Sequence, residues 1–102
     1  MFRDDDLLAL VRRLPCQVPG CGHPAPSQPM HSNQGAHGKG RSQKADDSAV
    51  AAGCVRCHVA IDSGSKLPYE QRIELWNAAC VATMSELIKR GWLVVNSKEA
   101  KT

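Results

Sequence analysis

The sequence predicts a small α+β domain stapled by zinc, and three observations lead there. Four of the five cysteines fall in two close pairs, Cys16 with Cys21 and Cys54 with Cys57. Soft thiolates at short spacing, with a second pair far along the chain, describe a tetrahedral zinc site. Apolar residues recur at helical spacing in an N-terminal stretch and again in a longer C-terminal one. Only short pieces between them, around Met30 and His31 and over residues 49–54, offer extended structure.

The N-terminal helix spans residues 4–13. Asp4, Asp5 and Asp6 crowd its start and Arg12 and Arg13 its end, as the helix dipole favours. Leu7, Leu8, Val11 and Leu14 share one face, and Pro15 stops it. Cys16 and Cys21 then enclose a Pro19-Gly20 turn. From residue 22 to 47 the chain is rich in Gly, Pro, Ser, Gln and His and nearly free of aliphatics, so it cannot build core. Residues 49–54 read either as a short strand or as the lead-in to a helix at 55–62, which Ser63-Gly64 ends. Pro68 suits a helix start. The clearest helix is 69–90, with Ile73, Trp76, Cys80, Met84, Leu87 and Ile88 at helical spacing and Gly91 at the capping position. Residues 92–95 read as a closing strand or an extended tail, and 96–102 as a frayed polar end.

A chain of 102 residues reads as a single domain: a helix at 1–14, a zinc-bearing core at 15–64, and a C-terminal helix and tail at 65–95. Its core is small, and aromatics make up only 4% of the chain, which strengthens the need for a staple. The net charge of +3 is compatible with nucleic acid without requiring it. No stretch approaches a membrane span, and the acidic opening is unlike an export signal. The expected location is therefore the cytoplasm, where thiols stay reduced and five cysteines favour metal ligation over disulfides.

Cys16, Cys21, Cys54 and Cys57 are the expected ligands of a structural Zn²⁺, and Cys80 belongs to the apolar face of the long helix. His58 follows the last ligand and points away from a zinc already filled by four thiolates. It has two readings: a ligand of a second, catalytic divalent ion, or a residue that only hydrogen-bonds beside the zinc. Asp62 lies four residues on, on the same helical face, as a further ligand or as the partner orienting the ring. His31, in a polar segment, can take a proton from a water that attacks phosphorus. His23 and His37 are lesser candidates. Lys39, Arg41 and Lys44, with interleaved glycines, suit phosphate contacts as well as a solvated loop. Asp46 and Asp47 can bind metal, orient a histidine or cap a turn.

A cysteine pair, an isolated histidine, a glycine-rich basic loop, an acidic residue and then Cys-x-x-Cys-His together resemble the zinc-stapled HNH-type nucleases. More closely, the chain is similar to the small YbcO-like family of lambdoid prophages, regarded as nucleases. The matching positions are Cys16, Cys21, His31 with Asn33, Gly38-Lys39-Gly40, Lys44 through Asp47, Cys54-x-x-Cys57-His58 with Ile61-Asp62, and Arg72, Thr83, Leu87 and Gly91 in the tail helix. The resemblance covers about residues 15–93. It implies a ββα-metal core: a β-hairpin and a helix clasping one divalent ion, Mg²⁺ or Mn²⁺. On that resemblance His31 takes the place of the general base and His58 that of the metal-binding histidine. Asp47 falls near the middle Asn, which steadies the base or its loop. Two positions depart from the pattern. Met30 stands where many such nucleases carry an Asp ligand, and Asp47 stands where Asn is expected. The first departure leaves the metal site short of a ligand or hands that task to Asp62.

The expected activity is endonucleolytic hydrolysis of DNA phosphodiesters, with Lys39, Arg41 and Lys44 on the backbone. A non-catalytic zinc module that binds DNA or protein is the rival; it leaves His31 and His58 without a task. A c-type haem on Cys54-Val55-Arg56-Cys57-His58, with Met84 as distal ligand, is disfavoured. It normally needs export, and it leaves Cys16 and Cys21 without a role. The apolar face over residues 73–88 suits the core alone or also a second copy in a homodimer.

Overall fold

A computed structural model describes residues 2–32, 46–62 and 66–100. Helix α1 (Asp5–Arg12) is followed by strand β1 (Gln28–His31), strand β2 (Val50–Gly53), helix α2 (Val55–Asp62), the long helix α3 (Tyr69–Lys89) and a single helical turn, α4 (Ser97–Ala100). The strands form an antiparallel pair in which Gln28 faces Gly53, Met30 faces Ala51 and His31 faces Val50. This is a small α+β domain, as expected.

Asp4 caps α1, its carboxylate accepting from the backbone N–H groups of Asp6 at 3.0 Å and Leu7 at 3.1 Å. Arg90 closes α3, and Gly91 follows with φ of +74°, a conformation that glycine adopts without strain. The Gly91 N–H then reaches Ile88 O and the Trp92 N–H reaches Leu87 O, both at 3.0 Å, satisfying carbonyls the helix end would otherwise orphan.

Residues 49–54 resolve as strand β2 running directly into α2. Every residue of β2 is buried, and its two faces serve two different cores. Val50 and Ala52 pack with Val11, Leu14 and Leu87. Ala51 packs with Met30, Ile61, Trp76 and Ala79 beside two of the cysteines. A strand made of Val, Ala, Ala and Gly lets neighbours come close. A Cβ at Gly53 would collide with the Met30 side chain, itself 1% exposed. Helix α3 answers with small residues: Thr83 Oγ1 accepts the Ala52 N–H at 2.9 Å and donates to Ala79 O at 2.7 Å.

The buried stripe of α3 is therefore Trp76, Ala79, Thr83 and Leu87. The expected stripe, drawn through the large apolar residues, is corrected on its outer side. Met84 and Ile88 are exposed, because the seam follows close approach to β2 rather than side-chain size. Residues 92–95 form no strand, and the expected frayed tail contains α4, where Asn96 Oδ1 accepts from the Glu99 N–H at 3.5 Å. No helix among the described residues is long and apolar enough to cross a membrane.

Candidate functional site

The four cysteines of the two pairs come together. Cys16 and Cys21 lie between α1 and β1, Cys54 links β2 to α2, and Cys57 sits in the first turn of α2. Their sulfurs all lie within 4.8 Å of one another. Cys21 and Cys54 sulfurs are 3.8 Å apart. A tetrahedral zinc with bonds of about 2.3 Å places its sulfurs roughly 3.8 Å apart, so the cluster has the dimensions of a zinc site.

The thiols also conflict electrostatically. The Cys21 thiol is drawn down to about 6, first by the backbone N–H of His23. Burial pushes Cys16 up, and burial followed by the Cys54 and Cys21 thiols pushes Cys57 well up. One thiolate forms readily and its neighbours then resist ionising, a conflict that a divalent cation removes. Cys80 stands apart: its sulfur faces Val50 O at 3.6 Å, and burial raises its pKa.

One residue beyond Cys57, His58 leaves the cysteine cluster and enters a separate pocket. His31, His58, Asp62, Tyr69 and Arg72 line this pocket, over a floor that includes Met30, Ile61 and Trp76. Strand β1 supplies Met30 and His31, α2 supplies His58, Ile61 and Asp62, and the first turns of α3 supply Tyr69, Arg72 and Trp76. These walls are tied together. Trp76 Nε1 donates to Met30 O at 3.0 Å, and Arg72 donates to Ile61 O at 3.2 Å. The His58 ring meets Gln28 Oε1 through Nδ1 at 2.8 Å. With the Gln28 oxygen accepting, Nδ1 carries the proton and Nε2 keeps its lone pair for a ligand.

His31 Nε2 lies 2.8 Å from Asp47 Oδ1. Asp47 is 2% exposed. Its second oxygen accepts the Asp4 N–H at 2.7 Å, and Arg3 reaches Oδ1 at 3.3 Å. Burial works to raise the Asp47 pKa, but the Asp4 N–H, then His31 and Arg3, hold it below the usual carboxylate range. A buried carboxylate anion beside His31 keeps the proton on Nε2 and leaves Nδ1 as the basic nitrogen.

Of the residues singled out from the sequence, His31 and Asp47 are brought into contact, and His58 and Asp62 share the pocket with His31. His23 is exposed, its ring on Pro24 O at 3.1 Å. His37, Asn33, Lys39, Arg41 and Lys44 lie outside the described residues. Among the described residues, the cysteine cluster is the one group of three or more metal-binding side chains within 4.8 Å of one another. His58 and Asp62 line the pocket together but belong to no such group among the described residues. Gln28, Arg3 and Tyr69 were not singled out from the sequence. Gln28 stands three residues before His31, and no local pattern marks it. Comparison of the chain with protein-family models, with curated proteins and with solved structures finds no match.

Proposed function

We propose that this domain is a zinc-stapled endonuclease of the HNH type, hydrolysing DNA phosphodiesters with a divalent ion. The observation that carries the reading is one pocket holding two histidines with different partners: His31 against a buried carboxylate, and His58 against a neutral amide. Two imidazoles prepared differently suit two different tasks.

In this reading His31 takes a proton from water at Nδ1. Asp47 holds the ring and stabilises the imidazolium that results. His58 presents Nε2 and, with Asp62, binds Mg²⁺ or Mn²⁺. When bound, that ion supplies charge neutralisation for the pentavalent phosphate and the leaving 3′ oxygen. The zinc cluster fixes the first turn of α2 and hence the position of His58, one residue past a ligand. Lys39, Arg41 and Lys44 track the DNA backbone, so binding weakens steeply with salt. A phage or prophage origin, a cytoplasmic setting and a homodimer remain part of this proposal through the family resemblance and the exposed flank of α3.

A second reading, a zinc-stabilised binding module, draws support from Met30. The residue in the place of the usual Asp ligand is buried in the core. The test is plasmid nicking in Mg²⁺ or Mn²⁺ at low salt, by the zinc-loaded protein and by His31→Ala with its zinc content confirmed. Nicking by the first and not by the second supports the nuclease. Equal nicking by both removes His31 from the mechanism, and nicking by neither favours the binding module.

A further inference from the structure

We infer that Arg72 is the phosphate-binding residue of the pocket, receiving one phosphodiester group of a nucleic acid on its guanidinium edge. The inference rests on the nucleic-acid reading of the site but not on catalysis.

Tyr69, Arg72, Ile73 and Trp76 lie at successive helical spacings on the first turns of α3, and all four line the pocket. Arg72 is held on two sides. One terminal nitrogen donates to Ile61 O at 3.2 Å, in the last turn of α2, where the helix dipole favours a cation. The guanidinium carbon lies 5.5 Å from the centre of the Tyr69 ring. Its Nε is sealed from solvent, yet has no hydrogen-bond partner among the described residues. Buried donors are nearly always satisfied, and an orphan in a pocket wall marks the place of an acceptor that a ligand brings.

The chemistry of that acceptor follows from the donor. A guanidinium held in plane, with an unsatisfied Nε, has a fork that matches two oxygens of one phosphate once the groups that cover Nε give way to the ligand. A phosphodiester carries one negative charge on two such oxygens, and the histidines beside it offer further donors or a metal. A purely structural Arg72, serving only to tie α3 to α2, accounts for the Ile61 contact but leaves Nε unexplained.

The test follows the Arg72 Nε–H signal of the ¹⁵N-labelled, zinc-loaded protein by NMR during titration with a short oligothymidylate at low salt. A saturable downfield shift of this signal, larger than those of Arg12 and Arg56 at the surface, supports the inference. In the His31→Ala background, Arg72→Gln should weaken oligothymidylate binding about tenfold to hundredfold. Arg72→Lys, which keeps the charge and a donor for Ile61, should fall between. An Nε–H signal that stays in place, whether the oligonucleotide binds elsewhere or does not bind at all, overturns the inference. A protein that nicks DNA with an unmoved Arg72 signal is a nuclease that holds phosphate by other means. A shifted signal in a protein that does not nick leaves Arg72 in place on a binding module.

Discussion

Stripping the metal from the cysteine cluster should unfold this domain rather than loosen it. The buried group around the cluster comprises Cys16, Val18, Met30, Ala51, Cys54, Ile61, Trp76 and Ala79, so two of its members are themselves cysteines of the cluster. Without a cation the buried thiols stay desolvated, and once one has ionised a second thiolate is repelled by the first. The second core holds only Val11, Leu14, Val50 and Leu87 as larger buried side chains. Four such groups, with Leu7, Leu8, Leu10, Trp92 and Leu93 only partly buried against them, cannot alone offset the entropy of ordering the chain. Domains of this size are stable by about 5–15 kcal/mol, and structural zinc contributes about 10–16 kcal/mol in small zinc domains. The assay is far-UV circular dichroism with a colorimetric zinc-release measurement, under a strong chelator at neutral pH. One zinc per chain should leave, and the cooperative thermal transition should vanish with it. Cys57→Ser should lower zinc occupancy and Tm together. A chain purified with less than about a tenth of an equivalent of metal, and with a Tm indifferent to chelator, would refute the reasoning that links the cluster to folding.

Three further perturbations test other links. Thr83→Val keeps the shape but strands the buried Ala52 N–H, and should cost about 1–3 kcal/mol in urea unfolding with an unchanged m-value. Gly53→Ala drives a methyl into the Met30 side chain and should cost about 1–3 kcal/mol; a second change, Met30→Ala, should recover part of that loss in a double-mutant cycle, and strict additivity would place the strain elsewhere. Asp47 has a depressed folded-state pKa, so its contribution is fully present above its unfolded value of about 3.9 and is lost as pH falls through the lower folded value. Asp47→Asn should flatten that acid limb of the stability profile, and an unaltered limb would mean that other carboxylates set it.

The parts of the fold that were legible in the sequence are those whose cause is local. Asp4 through Arg13 carry their own cap and charge pattern, and Gly91 marks the end of α3 because a left-handed residue is needed there. The cysteine cluster was legible because two close cysteine pairs far apart in sequence match the ligand spacing of a metal site. What was not legible depends on close approach between distant segments. The α3 stripe was misdrawn toward Met84 and Ile88 because the choice of Ala79 and Thr83 makes sense only against Ala52 and Gly53 of β2. The anchoring of Asp47 was hidden too. Its partners Arg3 and Asp4 stand more than forty positions away, and nothing local announces that the start of the chain folds over this turn.

Met30 shows how core and site compete for one strand. Its side chain is committed beneath Gly53 and its carbonyl to the Trp76 indole, so β1 gives the pocket its polar group through His31, while Gln28 holds the His58 ring. Any carboxylate required for a divalent ion must then come from the opposite wall, and Asp62 is the acidic residue that lines the pocket. Its wall is α2, whose first turn carries Cys57 and whose last turn is held by Arg72. Both ends of that short helix are therefore fixed by groups outside it, one by the cysteine cluster and one by α3. A helix of eight residues has little stability of its own. Its two polar pocket residues, His58 and Asp62, thus owe their separation and orientation to those anchors, which makes the cysteine cluster a condition of the site's geometry rather than a neighbour of it.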